Sequence, residues 1–402
     1  MVEHRDVVIG GVDTHKDTHV AAVIDGVGRL LDTRSFGTTA GEYARLSVWM
    51  RSFGTLERVG VEGTGSYGAG LARHLATVGV EVVEVNRPNR QMRRTSGKND
   101  TIDAEAAARA ALNGQATAAP KARDGLVESI RVLRIAFCSA RNSRVKIGLQ
   151  IRDLVLTAPD ELRCVFEPLE TAARAERAAR FRPGPVTDPL EATRTAMRSL
   201  ARRYQALSIE IDQLRAQLDE LTLAANPALR AAKGVGADVA SILLIAAGDN
   251  PERLRSDAAF AAMCGASPIE ASSGRTIRHR LNQGGNRQAN HALWRIALTR
   301  LATDSDTKAY AARRRAEGKT TKEIVRCLKR YIAREVFGLL TKERHVPDTS
   351  DLRPARLAAG LTLQTVADHF NVWPARISEV ERGVTRDDEL ERRYRDWLSQ
   401  AA

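Results

Sequence analysis

The sequence is poor in aromatic residues, in cysteine and in long apolar runs. Aromatic residues make up 4% of the chain, so base stacking on an aromatic platform is not expected as its main mode of binding nucleic acid. The four cysteines lack the paired spacing of a zinc site or a disulfide framework. The most apolar stretch, Val239–Ala247, is far too short to cross a membrane, and no signal peptide is recognisable. We therefore expect a cytoplasmic protein with no membrane contact.

Positive charge, by contrast, is abundant and unevenly distributed. The 402 residues carry a formal net charge of +13. Residues 1–120 contain 14 basic and 14 acidic residues, whereas residues 271–345 contain 18 basic and 6 acidic residues, a net charge of +12. A smaller basic segment contains Arg90, Arg93, Arg94 and Lys98. Such concentrations are typical of a surface that binds a polyanion such as nucleic acid.

Four acidic residues stand at the ends of predicted elements in the neutral N-terminal part. Asp13 and Glu62 each end a short apolar run, and Asp100 and Asp103 lie three residues apart at the start of a predicted helix, where they share a face. Turn capping and the helix dipole are the structural alternatives for such acids. Taken together, the four carboxylates favour a site for a hard divalent cation, Mg²⁺, of the kind that serves phosphoryl transfer.

The order of the predicted elements indicates the fold around these acids. Strands are predicted near 7–13, 18–25, 28–36, 58–62 and 80–85, and helices near 40–52, 66–78 and 100–112. A meander of three strands followed by helix, strand, helix, strand and helix is the order of an RNase H-like α/β fold. The acids fall where that fold has its metal site.

Three motifs make the similarity more specific. GVDTHKDTH, VEGTGSYG and GKNDTIDAEAAA resemble, in order and separation, the blocks of the DEDD insertion-sequence transposases, whose N-terminal domain is RuvC-like. The resemblance covers roughly residues 5–340 and implies a RuvC-like catalytic domain at 5–120. It also implies that the catalytic metal is bound by Asp13, Glu62, Asp100 and Asp103.

Residues 121–225 are predicted to be a helical and coiled-coil region for linkage and dimerisation. From Met197 onward, apolar residues recur at spacings of three and four, as in a heptad seam. They are Leu200, Tyr204, Leu207, Ile211, Leu214, Leu218 and Leu221. The seam predicts a homo-oligomer, a dimer or a tetramer, which the family resemblance also implies. The alternative is a long helix that packs on its own domain.

The next predicted domain, residues 226–345, is mostly α-helical and begins with a glycine turn. Lys233, Gly234 and Gly236 lie between two helical runs and resemble a helix–hairpin–helix. The glycines of such a turn let backbone N–H groups approach a DNA phosphate without reading sequence. A plain glycine-rich helix connection is the alternative.

A serine loop follows in the same domain. In the C-terminal domain of the resembled transposases, a serine directly before a glycine, shortly after a proline, is the nucleophile. Pro268 and Ser272-Ser273-Gly274 match this pattern, which favours Ser273, with Ser272 second. The arginines that follow could hold a scissile phosphate or neighbouring DNA. They are Arg275, Arg278, Arg280 and Arg287.

The last predicted module, residues 351–402, lies outside the transposase resemblance. Its pattern indicates a helix-turn-helix with helices at 353–359 and 362–369, a turn at Phe370–Val372 and a recognition helix at Pro374–Glu381. Arg376 and Ser378 would face the major groove of DNA. The alternative is a module that contacts protein.

These observations predict a transposase or recombinase that cuts and rejoins double-stranded DNA at the ends of an insertion sequence and at its target. The family resemblance alone implies a structured guide RNA, a covalent serine–DNA intermediate, and a site that joins the acids of one protomer to the serine of another. Three other functions fit part of the pattern. They are a RuvC-like two-metal junction nuclease, an actin-like-fold kinase, and a non-catalytic DNA-binding regulator.

Overall fold

The computed structural model describes residues 7–85, 99–276, 278–342, 348–383 and 387–401. The predicted DNA contacts at Arg90, Arg93, Arg94 and Lys98 lie outside these residues. The chain forms two compact units. The first contains Met1–Asp124 and Ala247–Arg255, and the second contains Gly125–Ala246 and Ser256–Ala402.

A five-stranded mixed sheet forms the centre of the first unit. Its strands are β1 (Val7–Thr14), β2 (Thr18–Asp25), β3 (Leu30–Gly37), β4 (Thr55–Glu62) and β5 (Glu81–Val85). They stand in the order β3-β2-β1-β4-β5. The first three pair as an antiparallel meander, and β4 is parallel to both β1 and β5. The predicted mixed α/β domain is confirmed, and it is consistent with an RNase H-like DEDD domain.

Helices cover both faces of this sheet because the strands alternate their side chains between the faces. Helices α1 (Ala40–Arg51) and α2 (Ala69–Thr77) pack on the face that includes Val8 and Val12. Helix α3 (Asp100–Leu112) packs on the opposite face, where its alanines meet Ile9. Asp13 follows the alternation of Ile9 and therefore belongs to the face that α3 covers.

The second unit begins with long helices. These are α4 (Leu126–Thr157), α5 (Asp160–Phe166), α6 (Thr171–Ala179) and α7 (Pro189–Ala225). The first part of the predicted heptad seam, Met197 to Leu207 on α7, packs against Ile147, Ile151 and Val155 of α4 in the same chain. This part of the seam therefore has an intramolecular partner, as in the single-domain alternative, and the coiled-coil dimer remains a prediction.

The rest of the second unit is mostly helical. It contains the helices α8 (Pro227–Ala231), α9 (Ala237–Ala247), α10 (Asp257–Met263), α11 (Arg287–Thr303), α12 (Ser305–Ala316) and α13 (Thr321–Thr341). A short hairpin, formed by β6 (Ile269–Glu270) and β7 (His279–Arg280), lies between α10 and α11. Among the described residues, no helix combines the length and the apolar character needed to cross a bilayer.

Four short helices form the C-terminal part. They are α14 (Leu352–Ala358), α15 (Leu363–Phe370), α16 (Pro374–Glu381) and α17 (Asp388–Ala401). A buried ion pair joins Arg356 to Glu381 at 2.6 Å, and the hydroxyl of Tyr394 donates to Glu381 at 2.8 Å. Asn371 ends α15 with a φ of 52°, the left-handed conformation that a tight turn between two helices requires. The helices lie within one or two residues of the predicted bounds, and DNA binding by this module remains a prediction.

Candidate metal centre and serine loop

The ends of β1 and β4 bring two of the predicted acids to one edge of the sheet. Val12 pairs with Val61 in the parallel register, so Asp13 and Glu62 are the next residues on adjacent strands. The hydroxyl of Thr14 donates to the backbone carbonyl of Glu62 at 2.8 Å and ties the two strand ends together.

Two glycines let α3 approach these strand ends closely. A Cβ atom at Gly11 would lie 2.2 Å from the carbonyl oxygen of Ala104, and one at Gly60 would lie 2.4 Å from that of Ala107. Real Cβ atoms do not approach backbone this closely, so side chains at these positions would push the helix away. The alanine-rich helix thus lies directly on the sheet, and its first turn carries Asp100 and Asp103. The amide of Asn99 caps this turn, because its Oδ1 accepts from the N–H of Thr101 at 3.2 Å.

The resulting cluster is partly buried and rich in negative charge. Asp13 is 7% exposed and Asp103 is 8% exposed. Burial raises the pKa of Asp13, and the charges of Asp103 and Asp100 raise it further, whereas His15 opposes the rise. A bound cation would remove this repulsion.

His15 is the member of the cluster that the sequence interpretation missed. Its Nε2 lies 3.1 Å from Asp13 Oδ2 and 3.5 Å from Asp100 Oδ1. Among the described residues, Asp13, His15 and Asp100 each offer a ligand atom, and these atoms lie within 4.8 Å of one another. Glu62 and Asp103 are outside this group of three. The available signal was the position of His15 two residues after Asp13, which returns it to the same side of an extended chain.

The donors fit a divalent cation. Carboxylate oxygens are the ligands that Mg²⁺ and Mn²⁺ prefer, whereas an imidazole is a more common ligand of the transition metals. Here the His15 ring lies between the carboxylates of Asp13 and Asp100, where a cation would bind. His15 is therefore either a candidate ligand of the cation or, when protonated, a positive charge that offsets the two carboxylates. The acids at the strand ends and on α3 supply the oxygen ligands in either case.

In the second unit, Ser273 lies at the tip of the β6–β7 hairpin. Its N–H and carbonyl exchange hydrogen bonds with Thr276 at 3.1 and 3.0 Å, and Gly274 has a φ of 54°. Positive φ at the first central residue is the requirement of a type II′ hairpin turn, which glycine meets without strain. The tip is exposed, so the Ser273 side chain stands clear of the protein core.

The two candidate serines differ in their contacts. The hydroxyl of Ser272 accepts from the N–H of Arg278 at 3.3 Å and donates to its carbonyl at 3.5 Å, across the hairpin. The Ser273 hydroxyl has no such partner within the described part of the chain. Arg275 stands in the turn beside it, and Arg278, Arg280 and Arg287 are also exposed.

The predicted glycine turn has the backbone geometry it needs but uses its lysine internally. Gly234 has a φ of 84°, which disfavours any side chain there. The Lys233 ammonium donates to Asp304 at 2.9 Å and to the carbonyl of Thr303 at 3.2 Å. Lys233 therefore fastens the turn to the end of α11, while Gly236 has space around it. Contact between this glycine turn and DNA remains a prediction.

On the predicted recognition helix α16, the residues expected to contact DNA are also bonded or partly buried within the protein. Arg376 pairs with Asp387 at 2.7 Å and lies 3.4 Å from Glu379, and Ser378 is half-buried. Arg376 would have to exchange these partners for DNA, so its predicted role is not tested by this arrangement.

An acidic cluster at the end of the central strand, beside the first turn of a helix, is consistent with a DEDD-type domain. A transposase family model for the DEDD domain of the IS110 type matches residues 10–157, which include all four predicted acids. A second model, described as the transposase of the IS116/IS110/IS902 family, matches residues 226–312, which include the glycine turn and the serine loop. Two separate stretches of the chain therefore match transposase models of the IS110 type.

A similar protein is also described by the insertion element IS110. Over 145 residues the chain is 32% identical to a Streptomyces coelicolor protein described as the insertion element IS110 uncharacterized 43.6 kDa protein. The alignment covers 35% of this chain and 36% of that protein, so the chain matches about a third of its length.

Proposed function

We propose that this protein is the transposase of an insertion sequence of the IS110 type and that it cuts and rejoins double-stranded DNA. The observation that carries the proposal is the set of acids assembled by β1, β4 and α3 within a region that matches a transposase family model. The match of the serine loop to the second model supports the same reaction.

In this proposal Asp13, Glu62, Asp100 and Asp103 hold Mg²⁺. When bound, the cation supplies charge that offsets the negative charge developing on the phosphate oxygens. The role of the chain is to fix the carboxylates, and the close packing of α3 on the strands provides that rigidity. The oxygen donors of these four side chains support the proposal, because hard divalent cations prefer carboxylate ligands.

The nucleophile in the proposal is Ser273. Its Oγ forms a bond to the phosphorus, the bond from phosphorus to the leaving strand breaks, and the hydroxyl proton goes to the leaving oxygen. A serine hydroxyl needs activation for such a step, and Arg275 and Arg278 can offset charge on the phosphate. The hydroxyl of Ser273, which has no hydrogen-bond partner among the described residues, supports it over Ser272, whose hydroxyl is bonded to Arg278.

Two partners complete the proposal. Homo-oligomer formation would let the acids of one protomer act with the serine of another, and a structured guide RNA would select the donor and target DNA. The net charge of +12 in residues 271–345 is suited to both nucleic acids. Digestion of the copurified nucleic acid with RNase and with DNase, followed by sequencing, tests the RNA partner.

The deciding experiment is a search for a covalent protein–DNA adduct. Cells carrying the gene with its native flanking DNA are lysed in denaturant, and DNA that stays on the protein is quantified. We expect adducts with wild type and Ser272→Ala, and none with Ser273→Ala, although the last variant still binds DNA. Adducts only in Ser273→Ala would move the nucleophile to Ser272. Strand cutting that needs neither serine would favour the junction nuclease.

A further inference from the structure

A cavity of about 690 Å³ opens at the base of the β6–β7 hairpin in the second unit. Its walls come from the ends of the hairpin, from the start of α11 and from α13. The lining side chains that matter here are Pro268, Leu281, Arg287, Arg326, Arg330 and Tyr331. Its volume lies within the range of small-ligand sites, and its lining includes no aspartate or glutamate.

The cavity has a rigid floor. The backbones of Gly265 and Gly285 cross so closely that a Cβ at Gly285 would lie 2.3 Å from the N of Gly265. The side chain of Asn290 fixes this crossing by donating to the carbonyls of Cys264 and Gly265 at 2.8 and 3.0 Å, and its Oδ1 accepts from Lys329 at 2.9 Å. The amide of Asn290 is thus satisfied within the protein.

The cationic wall, in contrast, has unused hydrogen-bonding capacity. Arg330 donates from Nη2 to Asp257 at 2.9 Å, and its Nη1 is buried with no hydrogen-bond partner among the described residues, so the cations open to a ligand are the exposed Arg287 and Arg326. Arg287 and Arg326 form no ion pair within the described part of the chain. Burial and the neighbouring charge of Arg326 lower the pKa of Lys329, as expected where cations crowd together. Such a wall is suited to a phosphate group.

The remaining wall is apolar and open. Tyr331 and Leu281 are 56% and 57% exposed, although both residue types are usually more buried. Tyr331 is braced by an edge contact with Tyr310, whose ring centroid is 5.9 Å away. A fixed aromatic ring beside a phosphate site offers a stacking surface for a base without selecting its sequence.

We propose that this cavity binds a single unstacked nucleotide of the DNA strand that the enzyme processes, with the phosphate on Arg287 and Arg326 and the base against Tyr331. The proposal rests on the proposed function, because it takes DNA as the substrate. Ser273 is five residues beyond Pro268 of the cavity wall along the hairpin, a reach of at most roughly 17 Å at the rise of a strand. The cavity would therefore hold a nucleotide close to the reacting phosphate and keep the strand in place while it is cut.

The test uses the full-length protein and duplexes of arbitrary sequence. Three duplexes are compared: fully paired, with one bulged nucleotide, and with one bulged abasic site. We expect wild type to bind the bulged nucleotide about tenfold more tightly than the other two, as for one base stacked on an aromatic ring. Loss of this preference is expected for Tyr331→Leu and for Arg326→Gln. Arg315→Gln, which removes one exposed charge of α12 away from the cavity, should keep it.

Each other outcome has a definite meaning. Equal binding of the three duplexes by wild type, or an equal loss on all three in Tyr331→Leu, would contradict the cavity proposal and leave the proposed function intact. Failure of wild type to bind any duplex would contradict the proposed function itself. A preference seen only with an RNA bulge would assign the cavity to RNA and overturn the DNA assignment. Thermal unfolding of both variants shows whether a lost preference reflects a lost fold.

Discussion

Gly11 is the residue at which fold and proposed chemistry can be tested together. In the structure its missing side chain allows α3 to touch β1, and α3 carries Asp100 and Asp103. Gly11→Ala adds only one methyl group. That methyl carbon would lie 2.2 Å from both the carbonyl oxygen of Ala104 and the backbone nitrogen of Ala108, against 3.4–4 Å for an ordinary contact.

The size of the effect follows from this overlap. The helix must retreat by at least about 1 Å, and such overpacking typically costs about 1–3 kcal/mol of folding stability. Displacement of reacting groups by about 1 Å can cost roughly 100-fold in rate. We therefore expect Gly11→Ala to fold with reduced stability and to lose most of its cation binding and DNA joining, because Asp103 moves away from Asp13.

The assay pairs urea unfolding with calorimetric titration of Mg²⁺ or Mn²⁺ at a temperature where the variant is folded. Gly41→Ala is the matched control, because nothing lies within 4 Å of a Cβ at Gly41 and alanine is favourable in the helix that contains it. Wild-type stability together with wild-type cation affinity in Gly11→Ala would refute the close-packing argument. A loss of stability with unchanged cation affinity would refute its link to the metal centre.

Three further outcomes are expected. Asp103→Asn should keep the fold but weaken cation binding and abolish DNA joining, whereas Asp17→Asn, at an exposed position of the same motif, should match wild type in a strand-joining assay. Partial burial raises the pKa of Asp304, but hydrogen bonds from the first turn of α12 and from Lys233 lower it to about 2. Asp304→Ala should therefore reduce the free energy of unfolding, measured in urea, by roughly 2 kcal/mol. Burial lowers the pKa of His19, so the unfolded chain binds a proton at this histidine more readily than the folded chain does. The free energy of unfolding should therefore be highest above about pH 6.5 and decrease as the pH falls below that value. In His19→Phe this decrease should be smaller.

The sequence was most informative about the elements of the first unit. The predicted helix at 100–112 coincides with α3, and the five strands were placed within about three residues of their observed bounds. Strong apolar runs and the Asn99 cap are local signals, and local signals survive folding. The approach of α3 to β1 depends on Gly11 and Gly60 facing the same helix, which is a tertiary relation that no local pattern reports.

The same reason explains what sequence reasoning missed. His15 was absent from the predicted site because its contact with Asp100 joins a strand end to a helix on the other side of a long connection. The seam on α7 has the spacing that two helices require, but spacing does not tell whether the partner is α4 of the same chain or a second copy. The difference between Ser272 and Ser273 lies in the pairing of the hairpin, which gives the hydroxyl of Ser272 two hydrogen bonds to Arg278 on the opposite strand.

The net charge of residues 271–345 overstates the positive charge that is available to bind DNA. Part of its positive charge is held by ion pairs within the second unit. These pairs join Arg295 to Asp238, Arg300 to Glu335, and Arg330 and Arg334 to Asp257.

Such pairs lower the charge that DNA can neutralise, because each would have to be broken first. Arg275, Arg278, Arg280 and Arg287 form no ion pair among the described residues, and they surround the serine hairpin. Unpaired positive charge therefore remains beside Ser273, and also at exposed positions such as Arg315 on α12 and Arg326 on α13. Salt should weaken DNA binding with a slope set by the unpaired basic residues of the segment rather than by all of them.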